Sequence, residues 1–280
     1  MSLPVFAAVL AAAFMHAAWN ALVKLRLEPI LTMALITASA GVIALPALAL
    51  TGLPPVAAWP WLLGSILLHL GYYIALTDAY RHADMGQVYP IARGSAPLLT
   101  TIVTVAVLRE PVAPQAIAGI GILCGGIALM AFSRGRAGGP QPRALASAAV
   151  TAALISGYTL VDGIGARVAG SAHAYSAALF VVDGVPLLAF VLWRRGRAAL
   201  APMRAAAGPG LLGGLFSLGS YWIAIWAMTV APIPLVAATR ESSVLFATLI
   251  AVTVLKEPLL PARAAAALVI IAGIAAMRLT

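Results

Sequence analysis

The sequence predicts an all-α polytopic membrane protein, ten transmembrane helices arranged as two inverted five-helix repeats. Three observations predict it. The chain is 63% hydrophobic and 9% charged, with a mean hydropathy of +1.04, more apolar surface than a soluble monomer can hide. Its apolar stretches run to about 20 residues, the length a helix needs to cross a hydrocarbon core of roughly 30 Å, and no short alternating segments of barrel type are visible. The chain also repeats itself. Leu108-Arg109-Glu110-Pro111 returns as Leu255-Lys256-Glu257-Pro258, 147 positions on (from 108 to 255). At the same offset Arg93-Gly94-Ser95 returns as Arg240-Glu241-Ser242, and Gly126-Ile127-Ala128-Leu129-Met130 as Gly273-Ile274-Ala275-Ala276-Met277.

The first repeat, residues 1–132, holds spans at roughly 3–23, 30–50, 60–80, 86–108 and 114–132. Span 1 has no Lys or Arg before Lys24, so it reads as a retained helix rather than a secretory signal. Span 2 carries Pro46, matched by Pro186 of span 7. Span 3 contains Leu70-Gly71-Tyr72-Tyr73, matched by Leu218-Gly219-Ser220-Tyr221 of span 8. Span 4 contains Pro90 and Pro97, which free carbonyls and bend a helix. Span 5 has Gly121 and Gly125 at a spacing that suits close helix packing. A Gly/Pro/Arg-rich stretch, 133–143, reads as the linker between repeats. The second repeat, 144–280, holds spans at roughly 144–164, 173–193, 210–228, 233–255 and 262–279. Tyr158 of span 6 roughly matches Trp19 of span 1. The single cysteine, Cys124, permits no intrachain disulfide and no Cys-based metal site; it reads as a small packed residue.

The net charge of +9 does not point to nucleic acid, because of where the charges sit. When loops are assigned alternately to two sides, twelve of the 17 Lys and Arg residues fall on one side. Three, Arg109, Arg167 and Arg278, fall on the other, and Arg93 and Arg240 lie inside spans. That asymmetry is the positive-inside pattern. It makes the crowded side cytoplasmic, places both termini on the outer or periplasmic side, and suits an inner membrane. Five spans per copy is an odd number, so the second copy enters the membrane the other way up, and a binding site is expected near the midplane between copies.

Polar groups at membrane depth mark candidate function, since they are costly in hydrocarbon. Tyr89, Arg93, Thr100 and Thr104 share a face of span 4. Arg93 reads either as snorkelling to the interface or as a cavity guanidinium, and its twin Arg240 at equivalent depth favours the cavity. Arg240 needs a partner other than adjacent Glu241, because neighbours along a helix do not face each other. His69, Tyr72 and Tyr73 of span 3, and Tyr221, Trp222 and Trp226 of span 8, form aromatic stripes that read as cavity wall or as core. Trp19, Asn20, Tyr158 and Ser242 complete the candidate cavity set. His16 and Asp162 are candidates for proton coupling, and Asp183 is a further deep carboxylate. Glu110 and Glu257, each before a proline, read as helix-start residues rather than gates.

The sequence has no phosphate-binding loop of the Gly-x-x-x-x-Gly-Lys type, no dense metal-ligand cluster and no paired Asp-rich motifs. The expectation is a carrier without cofactor, driven by a gradient or by the substrate itself. Its partners are a small molecule and the lipid bilayer, not nucleic acid, and the oligomeric state stays open.

Several features taken together resemble the drug/metabolite transporter superfamily, in particular its ten-span exporters built from two EamA-type repeats. These are His16-Ala17-Ala18-Trp19-Asn20 in span 1, the helix bearing Arg93, and the two Glu-Pro turns, each followed by a Gly-containing span of small residues. The resemblance covers essentially the whole chain. It implies secondary transport of small metabolites, and within the superfamily the chain looks most like exporters of amino acids, aromatic ones included. Two other readings stay open on the residues alone. One is exchange or import of an anionic metabolite such as a sugar phosphate, clamped by Arg93 and Arg240. The other is an intramembrane enzyme acting on lipid.

Overall fold

Along the helices the polar side chains turn inward and many of the leucines turn outward, the arrangement that a hydrocarbon solvent selects. In the computed structural model, residues 1–23, 27–82, 85–132, 142–254, 256 and 260–278 are described, with their side chains except at 21–23, 76–82, 85–91, 131, 132 and 142–144. Helix α3 (Trp59–His82) shows the arrangement within one element. Leu63 and Leu67 are 60% and 70% exposed, whereas Ser65 and His69 are buried.

The other helices follow in chain order: α1 (Leu3–Val23), α2 (Pro29–Thr51), α4 (Met85–Ala106), α5 (Pro114–Phe132), α6 (Pro142–Val168), α7 (Ala172–Arg195), α8 (Leu200–Ala205), α9 (Ala207–Val230), α10 (Ile233–Arg240), α11 (Ser243–Thr253) and α12 (Pro261–Arg278). No strand occurs among the described residues. Seven helical segments there are long and apolar enough to cross a membrane, and Pro114–Met130 is a shorter apolar one. Helices α3 and α4 reach spanning length with 24 and 22 residues. The expected ninth span is one crossing made of two helices, α10 and α11. Between them the amides of Glu241 and Ser242 bond back three residues, to Ala238 and Thr239, which tightens the backbone into a 3-10 turn. The short helix α8 and the 3-10 turn before it were not foreseen in the sequence.

Local chemistry places the turns. Gly170, at φ 66°, ends α6, and Ser171 caps α7 by accepting from the Ala174 amide at 3.2 Å. Arg278 Nη1 donates to the Met1 carbonyl at 3.4 Å, so the first and last helices end on one face, called here the terminus face. Arg109 and Lys256, twins at the sequence offset of 147 (from 109 to 256), are the non-glycine residues with positive φ among those described, at 53° and 57°. The residue that precedes each Glu-Pro pair in the sequence is therefore left-handed, an uncommon conformation for a residue with a side chain.

Helices of one half pack mainly on helices of the other. Helix α2 lies on α7, α5 on α12, α3 and α4 on α6, and α1 on α9, α10 and α11. Small residues permit the closest approaches, as expected where lipid supplies no hydrophobic drive between helices. A Cβ on Gly273 of α12 would stand 2.5 Å from the Leu123 amide nitrogen and 2.8 Å from the Gly119 carbonyl oxygen of α5, both backbone atoms that cannot step aside. The Gly121–Gly125 pair predicted to pack helices does not do so. A Cβ at either position meets nothing within 4 Å, because this face of α5 points outward. The packing glycines are Gly119 and Gly126, on the opposite side of the helix.

Gly273→Ala is therefore expected to force α5 and α12 apart and lower stability by roughly 1–3 kcal/mol, the usual range for overpacking. Gly125→Ala is expected to leave stability unchanged or slightly raised. Thermal unfolding of the two variants in one detergent checks both.

Candidate functional site

A cavity of about 70 Å³ lies between the two halves, near the middle of the helices that line it. Ten of the residues singled out from the sequence meet there: His16 and Trp19 of α1, His69, Tyr72 and Tyr73 of α3, Arg93 of α4, Tyr158 of α6, Asp183 of α7, Tyr221 of α9 and Arg240 of α10. Sequence reasoning confined the cavity to spans 1, 3, 4, 6, 8 and 9. The structure adds α2, through Met33, Ile36 and Thr37, and α7, through Leu179, Phe180 and Asp183, and extends the α9 wall with Ser217 and Ser220. The polar members Thr37 and Asp183, both buried, were the available signal for the two missed helices.

One wall is aromatic. The His69 ring stacks on Tyr158 at 4.2 Å between centroids and 22° between planes. Tyr221 and Tyr72 meet Tyr158 edge-on at 5.9 and 5.8 Å. Such offset and edge contacts are the favoured geometries of quadrupolar rings. Two tyrosine hydroxyls are taken up by aspartates. Tyr73 donates to Asp183 Oδ2 at 3.0 Å, and Tyr221 donates to Asp162 Oδ2 at 2.5 Å. Asp162, fully buried and outside the cavity lining, also accepts from the Tyr175 hydroxyl at 3.0 Å. The aspartates thereby fix the rings and leave the ring faces and edges toward the cavity.

The two deep arginines are treated differently. Arg93 Nε donates to Glu241 Oε2 at 2.9 Å, in an ion pair whose side chains are 2% and 5% exposed. The pair joins the first half to the second. The 3-10 turn after α10 presents Glu241 to α4, which is why the neighbour of Arg240 in sequence serves Arg93 instead. The guanidinium carbon of Arg240 sits 4.8 Å from the centroid of the Tyr221 ring. Its buried Nε has no hydrogen-bond partner among the described residues.

Other candidates lie elsewhere. Asn20 donates back to the His16 carbonyl at 2.8 Å, a local bond within α1. Trp222 Nε1 bonds His173 Nδ1 of α7 at 2.9 Å, and Trp226 packs on the central core. Residues 221 and 222 are one helical step of about 100° apart, so α9 turns Tyr221 to the cavity and Trp222 away from it. Ser242 is buried in the turn between α10 and α11, outside the lining. Thr100 of α4 bonds Ser156 of α6 at 3.1 Å and serves helix packing. The Tyr89 side chain and Glu257 lie outside the described residues.

Glu110 is not the helix-start residue expected. Helix α5 begins later, at Pro114, and the Glu110 carboxylate takes a hydrogen bond from Arg167 Nη1 at the end of α6. Arg167 also donates to the carbonyls of Met228 at 2.9 Å and Ala231 at 3.2 Å. One guanidinium thus ties the α4–α5 connection, the end of α6 and the α9–α10 connection together on the terminus face. On the other face Arg195 at the end of α7 pairs with Glu28 at the start of α2.

Residues 3–132 match the model of the EamA-like transporter family. Over essentially its whole length the chain shares its fold with a protein of known crystal structure, with a TM-score of 0.79 over 99% of this chain and 98% of that one at 19% sequence identity. No curated protein matches the sequence.

Removing one member of a buried ion pair leaves the other uncompensated, at a cost of roughly 3–5 kcal/mol, while an apolar pair of similar volume is often tolerated. Arg93→Met and Glu241→Leu are each expected to destabilise by about that much, and the double variant to recover most of the loss in thermal unfolding. A second expectation concerns the Arg167 tie. In a Cys124→Ser background, buried Ala231 replaced by cysteine is expected to react slowly with a membrane-impermeant maleimide, and at least several-fold faster once Arg167→Gln releases the connections.

Proposed function

We propose that this chain, a multi-pass membrane protein whose residues 3–132 match the EamA-like transporter family, is a transporter of the drug/metabolite transporter type. From that premise we propose that it is a secondary active transporter that exports amino acids or related small metabolites, aromatic ones among them, across the inner membrane. The two halves act as inverted repeats and alternate access to the cavity between them. The termini lie on the outer side, as the distribution of arginine suggests.

One observation carries the reading. The cavity lies where the halves meet and combines an aromatic wall with side chains of both charge signs, Arg240 and Asp183. A small amphipathic solute with a ring and charged ends suits such a lining. Rocking of one half against the other moves α4 relative to α10 and α11, and α6 relative to α9, so the Arg93–Glu241 pair and the Arg167 tie span surfaces that slide or separate. His16 and Asp162 are the side chains proposed to handle a coupling proton, His16 at the cavity wall and Asp162 behind Tyr221. An exchanger of sugar phosphates with two arginines as clamps fits less well, since Arg93 already answers a carboxylate. Transport rather than lipid chemistry accords with what the family's members do.

The test is uptake of a labelled panel into proteoliposomes: aromatic and aliphatic amino acids, sugar phosphates and quaternary cations. Saturable uptake of neutral amino acids is expected, reduced at least tenfold by Tyr158→Ala and little changed by Trp222→Ala, whose ring lies outside the lining. Uptake restricted to phosphorylated solutes would replace the reading with anion exchange.

A further inference from the structure

We propose that Arg240 is the anchor for a carboxylate group of the transported molecule, and that Glu241 holds Arg93 out of that role. The inference names the ligand chemistry of the cavity above and so rests on the transport reading. Both arginines line the cavity. The charge of Arg93 is met by Glu241 at 2.9 Å. Arg240 is 7% exposed, and its Nε is buried without a hydrogen-bond partner among the described residues. The Tyr221 ring, 4.8 Å away, answers the charge through its quadrupole, and Glu241 acts on it through space, but neither takes a directed bond from the guanidinium among the described residues. A buried donor left in this state is costly, and a planar carboxylate is the group whose geometry matches the fork.

The arrangement is also built in advance. The Tyr221 hydroxyl is held by Asp162, which is held in turn by Tyr175, so the ring that supports Arg240 cannot easily turn. Asp183 supplies the complementary end. It lines the same cavity and accepts one bond, from Tyr73, while an ionised carboxylate has about four acceptor sites. Arg240 and Asp183 put a charged group of each sign at the cavity wall, while Arg93 is already met by Glu241, so the lining suits a zwitterion. The aromatic wall then takes the side chain. The origin of the asymmetry is visible in the repeat. Of the matched triplets Arg93-Gly94-Ser95 and Arg240-Glu241-Ser242, the middle residue alone differs, and that one glutamate neutralises the arginine of the other copy.

The experiment is titration calorimetry on the full-length protein in lipid nanodiscs. The ligand set is L-phenylalanine and L-leucine, their carboxamides, 3-phenylpropionate and phenyl phosphate. The wild type is expected to bind an amino acid at least tenfold more tightly than its carboxamide. Arg240→Gln should remove that difference by weakening the acid and leaving the amide unchanged, and Arg240→Lys should fall between. Equal affinity of acid and amide for the wild type overturns the anchor while leaving amino acid transport standing. So does an Arg240→Gln variant that weakens both ligands equally, since that is the behaviour of a structural residue. Arg240-dependent binding of 3-phenylpropionate alone supports the anchor and defeats the amino acid reading. Binding of phenyl phosphate alone, or of no ligand, overturns the anchor together with that reading. If Arg240→Gln does not purify as a monodisperse protein, the wild-type comparison and Arg240→Lys decide.

Discussion

A guanidinium enclosed by membrane-spanning helices must be answered, because neither lipid nor bulk water does so. Much of this molecule follows from how that requirement is met twice. Arg93 is answered from the other half of the chain by Glu241, so an electrostatic need of the first five helices is satisfied only when the second five are in place. Arg240 is answered by a ring face, and the ring is held by a carboxylate behind it. The first solution ties the halves. The second leaves a charged group at the cavity wall with bonding capacity in hand.

The frame that holds these groups uses different physics. Where α5 meets α12, and where α2 meets α7 at Gly41 and Gly184, backbones approach through glycine. Gly41 and Gly184 stand against each other, so a Cβ on Gly184 would lie 2.9 Å from the Thr37 carbonyl oxygen. Dispersion between close backbones needs no particular polarity around it. The site, by contrast, draws on helices with buried serine, threonine, histidine and aspartate. Helices α2 and α7 belong to both, with their glycines in the mutual contact and Thr37 and Asp183 turned to the cavity.

The all-α fold and the site were legible to different depths. Length and hydropathy located the spans, because hydrocarbon thickness imposes a simple rule. The cost of burying charge located Arg93 and Arg240, and it brought Tyr72, Tyr73, Tyr158 and Tyr221 under suspicion as polar-tipped rings at the same depth. What stayed hidden depends on rotation and on local backbone. Trp222 shares composition with Tyr221 but points one step round the helix, to His173. Gly121 and Gly125 have a packing motif's spacing, yet the partner helix lies on the other side of α5. The Arg93–Glu241 pair was invisible because a regular helix at 240–242 would not have aimed Glu241 at α4. Only the tightened 3-10 turn does that. Glu110 was misread for a related reason: its partner, Arg167, is 57 residues away in sequence.

Two cavity arginines in equivalent surroundings would attract a symmetric or doubly charged ligand. A single difference at the matched position, Gly94 in one copy and Glu241 in the other, removes the equivalence. Glycine also suits its own place, since a Cβ on Gly94 would press on Ile127 of α5 at 3.1 Å, a contact tighter than side chains normally make. Any side chain there would make Ile127 give by a few tenths of an ångström, whereas Glu241 occupies a turn with an arginine within reach. Tight packing at Gly94 and backbone irregularity at Glu241 thus go with the difference at this matched position. The consequence is directional: one arginine is committed to holding the halves together and the other is left facing the cavity. On the proposed transport reading, gripping one end of a small solute and releasing it when the halves move needs that separation of roles.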